Sequence, residues 1–105
     1  MNIELLYVAN CPNHAVALER LRATLSGVNF HMHVNEVLVR DREMAHSLRF
    51  PGSPTIRVNG QDVEPQVDRA TSFGLMCRLY VDGSGAPSQD CLRVAIEKAC
   101  GSGGG

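Results

Sequence analysis

The chain has 105 residues, of which 44% are hydrophobic and 20% charged, a size and balance that support one core and not two. Its formal net charge is -1 at pH 7 and no run of Lys and Arg occurs, so it offers no basic face for a nucleic acid or an anionic membrane. No apolar stretch approaches the roughly 20 residues of a membrane span.

The opening "MNIELLYV" lacks the positive start and small-residue cleavage site of a signal peptide, which predicts a cytoplasmic protein. Its four cysteines, Cys11, Cys77, Cys91 and Cys100, are then expected as thiols rather than structural disulfides, and no CxxC pair occurs. With 5% aromatic residues, a monomer or weak dimer is expected.

Residues 3–9, "IELLYVA", form a continuous apolar run that predicts a strand covered on both faces. From Pro12 to about Ser26, Leu18, Leu21 and Leu25 recur at helical spacing, Pro12 suits a first helical turn and Gly27 stops it. In "FHMHVNEV", Phe30, Met32 and Val34 alternate with His31, His33 and Asn35, as in a strand near a sheet edge. Asp41 is placed to cap a short helix ending near Phe50. "IRV" and "QDV" flank Asn59-Gly60, the dipeptide best suited to a type I′ turn, which predicts a hairpin.

"PQVDRATSFG" reads as a loop and "LMCRLYV" as a further strand-like run. Cys91, Leu92, Ala95, Ile96 and Ala99 then make one stripe of a last helix from about Ser88 to Cys100. The terminal "GSGGG" has nothing to pack, so the domain is expected to span 1–100 with a disordered Gly-rich tail at 101–105. The order β-α-β-α-β-β-α predicts an α/β fold with a mixed four-stranded sheet flanked by helices, its first two strands parallel and its hairpin pair antiparallel.

Cys11 falls where the first strand hands over to the first helix. Unpaired backbone N–H groups and the positive end of the helix dipole stabilise a thiolate there. His14 follows three residues later. It is either a neighbour that stabilises this thiolate or a packing histidine on the stripe of Leu18, Leu21 and Leu25. Cys77 reads as an ordinary strand cysteine, or as a thiol swung back toward Cys11 to resolve a mixed disulfide or share a soft metal.

Cys91 and Cys100 are nine residues apart on one helix, point to opposite sides and cannot pair. His31 and His33 share a strand face, an arrangement able to chelate a metal if His46 approaches, and are read as a solvated edge. No metal or cofactor is expected. Arg78 and Tyr80 are read as bracing the sheet.

Cys11-Pro12 directly after the first strand, with Ser53-Pro54-Thr55 before the third, resembles the thioredoxin superfamily. The closer resemblance is to small bacterial thioredoxin-like proteins carrying CPN, GSPT, VNGxD and GLxCRxY. These are matched at Cys11 to Asn13, Gly52 to Thr55, Val58 to Asp62 and Gly74 to Tyr80. Members of that group go by labels such as thioredoxin family protein or alkylmercury lyase.

The resemblance runs from about residue 3 to residue 99 and implies a thioredoxin-like fold. It also implies a cis Pro54 facing Cys11, and a docking edge for an extended thiol-bearing substrate formed by Ser53, Pro54 and Thr55 with Pro12. His14 stands where a dithiol motif has its second cysteine. The chemistry left is therefore monothiol exchange with a protein or small-molecule thiol or disulfide, with Cys11, His14 and Cys77 as candidate catalytic residues. Soft-metal binding by Cys11 and Cys77, and a non-catalytic adaptor role, are the alternatives.

Overall fold

The computed structural model describes residues 1–27, 33–64, 73–80 and 82–104, with 101–104 described by backbone alone. In chain order the elements are β1 (Ile3–Tyr7), α1 (His14–Gly27), β2 (Val34–Leu38), α2 (Arg42–Ser47), β3 (Thr55–Val58), β4 (Gln61–Asp62) and α3 (Gln89–Gly104). The strands form one mixed sheet in the order β2-β1-β3-β4, with β1 parallel to β2 and antiparallel to β3, and β3 antiparallel to β4.

The run of apolar residues in β1 is explained by its central place. Ile3 and Leu5 point to one face, where Ala17, Leu21 and Leu25 of α1 and Leu92 and Ile96 of α3 close the larger core. Leu6 points to the other face and packs with Val39, Phe50 and Ala45 of α2. Alternate side chains of a strand point to opposite faces, so only a strand covered on both can be apolar throughout. Its one charged residue, Glu4, lies directly opposite Arg57 of β3, a favourable cross-strand pair.

The helices follow their local signals. The Asp41 carboxylate accepts the Met44 N–H at 2.8 Å and starts α2. Asn59 (φ 54°) and Gly60 (φ 82°) both take positive φ and turn β3 into β4, as a type I′ hairpin requires. The backbone of α3 continues past the Cys100 end predicted from the apolar stripe and into the Gly-rich segment. Helix propagation from a packed stripe adds one hydrogen bond per residue fixed. Cys91 and Cys100 both touch the larger core, because half a turn of separation sets them on opposite margins of the same stripe.

Two expectations are revised. Residues 12 and 13 are turn and not helix, and α1 begins at His14. Residues 75–80 of "LMCRLYV" form no strand: Cys77 makes only an isolated parallel bridge to Ser53. Buried side chains of Arg78 and Tyr80, rather than a ladder of backbone bonds, hold this segment in place. Of the predicted edge strand, β2 covers Val34 to Leu38, while Phe30, His31 and Met32 lie outside the described residues. Most of the predicted loop "PQVDRATSFG" lies outside them as well. Among the described residues no helix is long and apolar enough to cross a membrane.

Candidate functional site

The site is built at the carboxyl ends of the parallel strands β1 and β2. Leaving β1, the chain turns sharply: Asn10 takes φ 62°, the Cys11 N–H donates to the Val8 carbonyl at 3.3 Å, and the His14 N–H donates to the Cys11 carbonyl at 3.3 Å. Cys11 is therefore half-buried in the turn that leads into α1, with Pro12 exposed beside it. Asn13 packs so closely on the 82–86 turn that a Cβ at Gly85 would overlap its carboxamide.

His14 is held away from the role of a free neighbour to the thiol. Its ring stacks on Tyr7 of β1, with centroids 3.8 Å apart and planes 6° from parallel, and its Nε2 lies 2.7 Å from Oε1 of Glu36 on β2. The first residue of a helix directs its side chain toward the N-terminal end, which here lies over the two strands. The ring's partners are thus Tyr7 and Glu36. Glu36, the residue that engages it, lies beside Leu5 on the same face of β2 as the core residue Val34, and the sequence offers no sign of its partner.

Ser53, Pro54 and Thr55, expected to form the docking edge, lie directly before and at the start of β3. All three are buried, so their side chains present no surface to a substrate. The Ser53–Pro54 peptide is cis. The Ser53 hydroxyl accepts the Val8 N–H at 3.1 Å, and Thr55 Oγ1 donates to the Gly52 carbonyl at 2.6 Å. The Ser53 N–H donates to the Met76 carbonyl at 2.8 Å, and the Arg78 N–H donates to the Ser53 carbonyl at 3.0 Å. The backbone edge of Ser53 is thus already occupied by the chain's own residues 76–78, and the thiol carried between them, Cys77, is exposed.

An ion cluster fixes that segment. The Arg78 guanidinium, with the residue only 5% exposed, donates to both oxygens of Asp62 at 2.7 and 2.9 Å, to Thr55 Oγ1 at 3.0 Å and to Glu64 at 3.4 Å. It also lies 4.1 Å over the Tyr80 ring, and the Tyr80 hydroxyl donates to the Pro54 carbonyl. Burial works against the Arg78 charge. The Asp62 hydrogen bonds, with the charges of Tyr80, Asp62 and Glu64, more than offset it and leave the group above its ordinary value.

Burial pushes the Tyr80 hydroxyl up, only partly countered by Arg78. The half-buried Cys91, whose thiol donates to the Val63 carbonyl at 3.5 Å, is raised by burial and then by the Glu64 and Asp62 charges. Gly52 (φ 141°) completes the arrangement, since a Cβ there would meet the Arg78 Cβ at 2.9 Å. The bracing read for Arg78 and Tyr80 is this cluster. Its acidic half was not singled out in the sequence, where Asp62 and Glu64 look like ordinary hairpin charges.

All four cysteines are free. Cys11 and Cys77 lie at the same end of the sheet, joined by four hydrogen bonds: Cys11 to Val8, Val8 to Ser53, and Ser53 to each of the two residues flanking Cys77. Leu75, Met76 and Leu79 around Cys77 are exposed. Beside the Cys11 turn, Val8, Ala9, Leu38, Val39, Arg40 and Leu75 line a groove of about 400 Å³. Exposed His33 precedes β2, and His46 packs edge-on against Phe73 at 6.0 Å. Among the described residues no three His, Cys, Asp or Glu side chains gather in a group able to hold a metal. Compared with known proteins, the chain matches no family model, no curated sequence and no solved structure.

Proposed function

We propose that the protein is a thioredoxin-like thiol-exchange protein of the cytoplasm, in which Cys11 attacks a disulfide and Cys77 resolves the product. The observation that carries this reading is the occupied edge of Ser53. Its backbone binds Met76 and Arg78, and so holds the exposed Cys77 thiol at the end of the sheet where the Cys11 turn emerges. A cysteine followed by proline after β1, and a cis Ser53–Pro54 peptide before β3, support the thioredoxin-like assignment.

The chemistry needs no group beyond the two thiols and the substrate. The Cys11 thiolate attacks one sulfur of a substrate disulfide, forming a mixed disulfide and expelling the first substrate thiolate. The Cys77 thiolate then attacks the Cys11 sulfur, closing a Cys11–Cys77 disulfide and expelling the second. Two electrons pass from the protein to the substrate, and the protons of the two protein thiols end on the two product thiols. An external dithiol returns the protein to its reduced form by the reverse exchange. Cys77 does the work that a cysteine at position 14 would do in a dithiol motif.

Treating the reduced protein with one equivalent of a low-mass disulfide and mapping peptides without reductant tests this. The expected product is a Cys11–Cys77 linkage in the wild type and a trapped mixed disulfide on Cys11 in Cys77→Ser. A Cys11→Ser variant that consumes disulfide as fast as the wild type overturns the proposal.

A further inference from the structure

The groove beside the Cys11 turn has three properties that bear on the substrate. It opens at the carboxyl ends of the parallel strands β1 and β2, the position at which open α/β sheets bind ligands. Its walls include Ala9, two residues before Cys11, and Leu75, two residues before Cys77, so it runs between the two thiol-bearing segments. Its volume of about 400 Å³ is that of a small-molecule cleft rather than a protein interface.

Its chemistry is one-sided. Five of the six lining residues are apolar, and the sixth, Arg40, is the groove's sole charge. The Arg40 side chain is exposed, and among the described residues its guanidinium has no ion-pair or hydrogen-bond partner. Among the described residues no carboxylate lines the groove to compete for it. The neighbouring Asp41 is turned to its own task, accepting the Met44 N–H at the start of α2. An apolar trough with one unpaired guanidinium complements a molecule with a short aliphatic body and one anionic group.

We infer that the substrate of the thiol exchange is a low-mass disulfide bearing a carboxylate, with its aliphatic part between Ala9, Leu38 and Leu75 and its carboxylate on Arg40. This rests on the thiol-exchange reading, which supplies the reaction; the groove supplies the selectivity. The bonds made and broken are those already described for Cys11 and Cys77, and Arg40 only binds and orients.

The test compares three disulfides of the same linker length: dithiodipropionate, with two carboxylates; hydroxyethyl disulfide, which is neutral; and cystamine, with two ammonium groups. The rate of mixed-disulfide formation at Cys11 is followed by mass spectrometry on the full chain. The wild type is expected to prefer the dicarboxylate over the neutral probe by about fivefold, the range one accessible ion pair supplies, and to disfavour cystamine. Arg40→Gln should abolish the preference, Arg40→Glu invert it and Arg40→Lys restore part of it.

Arg93→Glu, on α3 across the sheet, changes net charge as much as Arg40→Glu and should leave the preference intact. A preference that survives Arg40→Gln, or that Arg93→Glu removes equally, overturns the inference while leaving thiol exchange standing. A Cys11 that fails to react even with the neutral probe overturns the thiol-exchange reading, and this inference with it.

Discussion

Arg78 and Asp62 form a two-pronged ion pair, at 2.7 and 2.9 Å, between a segment that joins the sheet through one isolated bridge and the short edge strand β4. Both side chains are buried, so the pair is a lock in which neither half is tolerable alone. It orients the stretch whose backbone binds Ser53, and so couples the hairpin to the thiol site.

Removing one half of the pair is expected to be severe. Asp62→Ala leaves a buried guanidinium without its main partner and should cost about 3–5 kcal/mol, read from urea unfolding. The double variant Asp62→Leu with Arg78→Met should recover much of that loss, since an apolar pair of similar volume has no charge to desolvate. A single variant as stable as the wild type would show that the pair is not closed in solution.

Gly52 is expected to reject a side chain. At φ 141° and with the Arg78 Cβ 2.9 Å from the position of a new methyl, Gly52→Ala should destabilise by on the order of 2 kcal/mol. Because the displaced partner carries residues 76–78, the Cys77 alkylation rate should change in the same variant under native conditions. Loss of stability without any change at Cys77 would separate the turn from the thiol segment.

The stacked ring of His14 predicts a graded series. His14→Phe keeps the face on Tyr7 and should stay within about 1 kcal/mol of the wild type, whereas His14→Ala should lose about 1–2 kcal/mol. Glu36→Gln changes only a solvent-accessible contact to the His14 ring and should cost no more than about 1 kcal/mol. If His14→Phe proves as damaging as His14→Ala, the ring acts through its nitrogens instead.

Alkaline pH should weaken the fold. Tyr80 and Cys91 are both raised by burial, so the unfolded chain releases their protons first and binds fewer than the native state. Their contribution is complete below the unfolded values of about 8.5 for a thiol and 10 for a phenol, and is lost as pH rises above each. Denaturant midpoints should therefore fall from about pH 8.5 onward, with a steeper limb above about pH 10. Tyr80→Phe should flatten the upper limb at a neutral-pH cost of about 0.5–1.5 kcal/mol for its bond to Pro54. An unchanged alkaline limb in that variant would contradict the assignment.

Much of the architecture was legible residue by residue, because the signals involved act over a few positions. The apolar run of β1, the Asp41 cap, the Asn59-Gly60 turn and the Leu21/Leu25 stripe each restrict local backbone or side-chain direction, and each produces its element. The cysteine in the turn after β1 was visible for the same reason.

What only the tertiary structure decided are partnerships between segments far apart in the chain. Arg78 joins Asp62 and Glu64, His14 joins Glu36 and Tyr7, and Ser53 takes Met76 and Arg78 in place of a visiting strand. "LMCRLYV" has the composition of a strand, yet it is placed by a buried guanidinium and a phenol. Local propensity carries no record of which charge will meet which. That depends on burial, where an ion must find its counterion or the fold does not close.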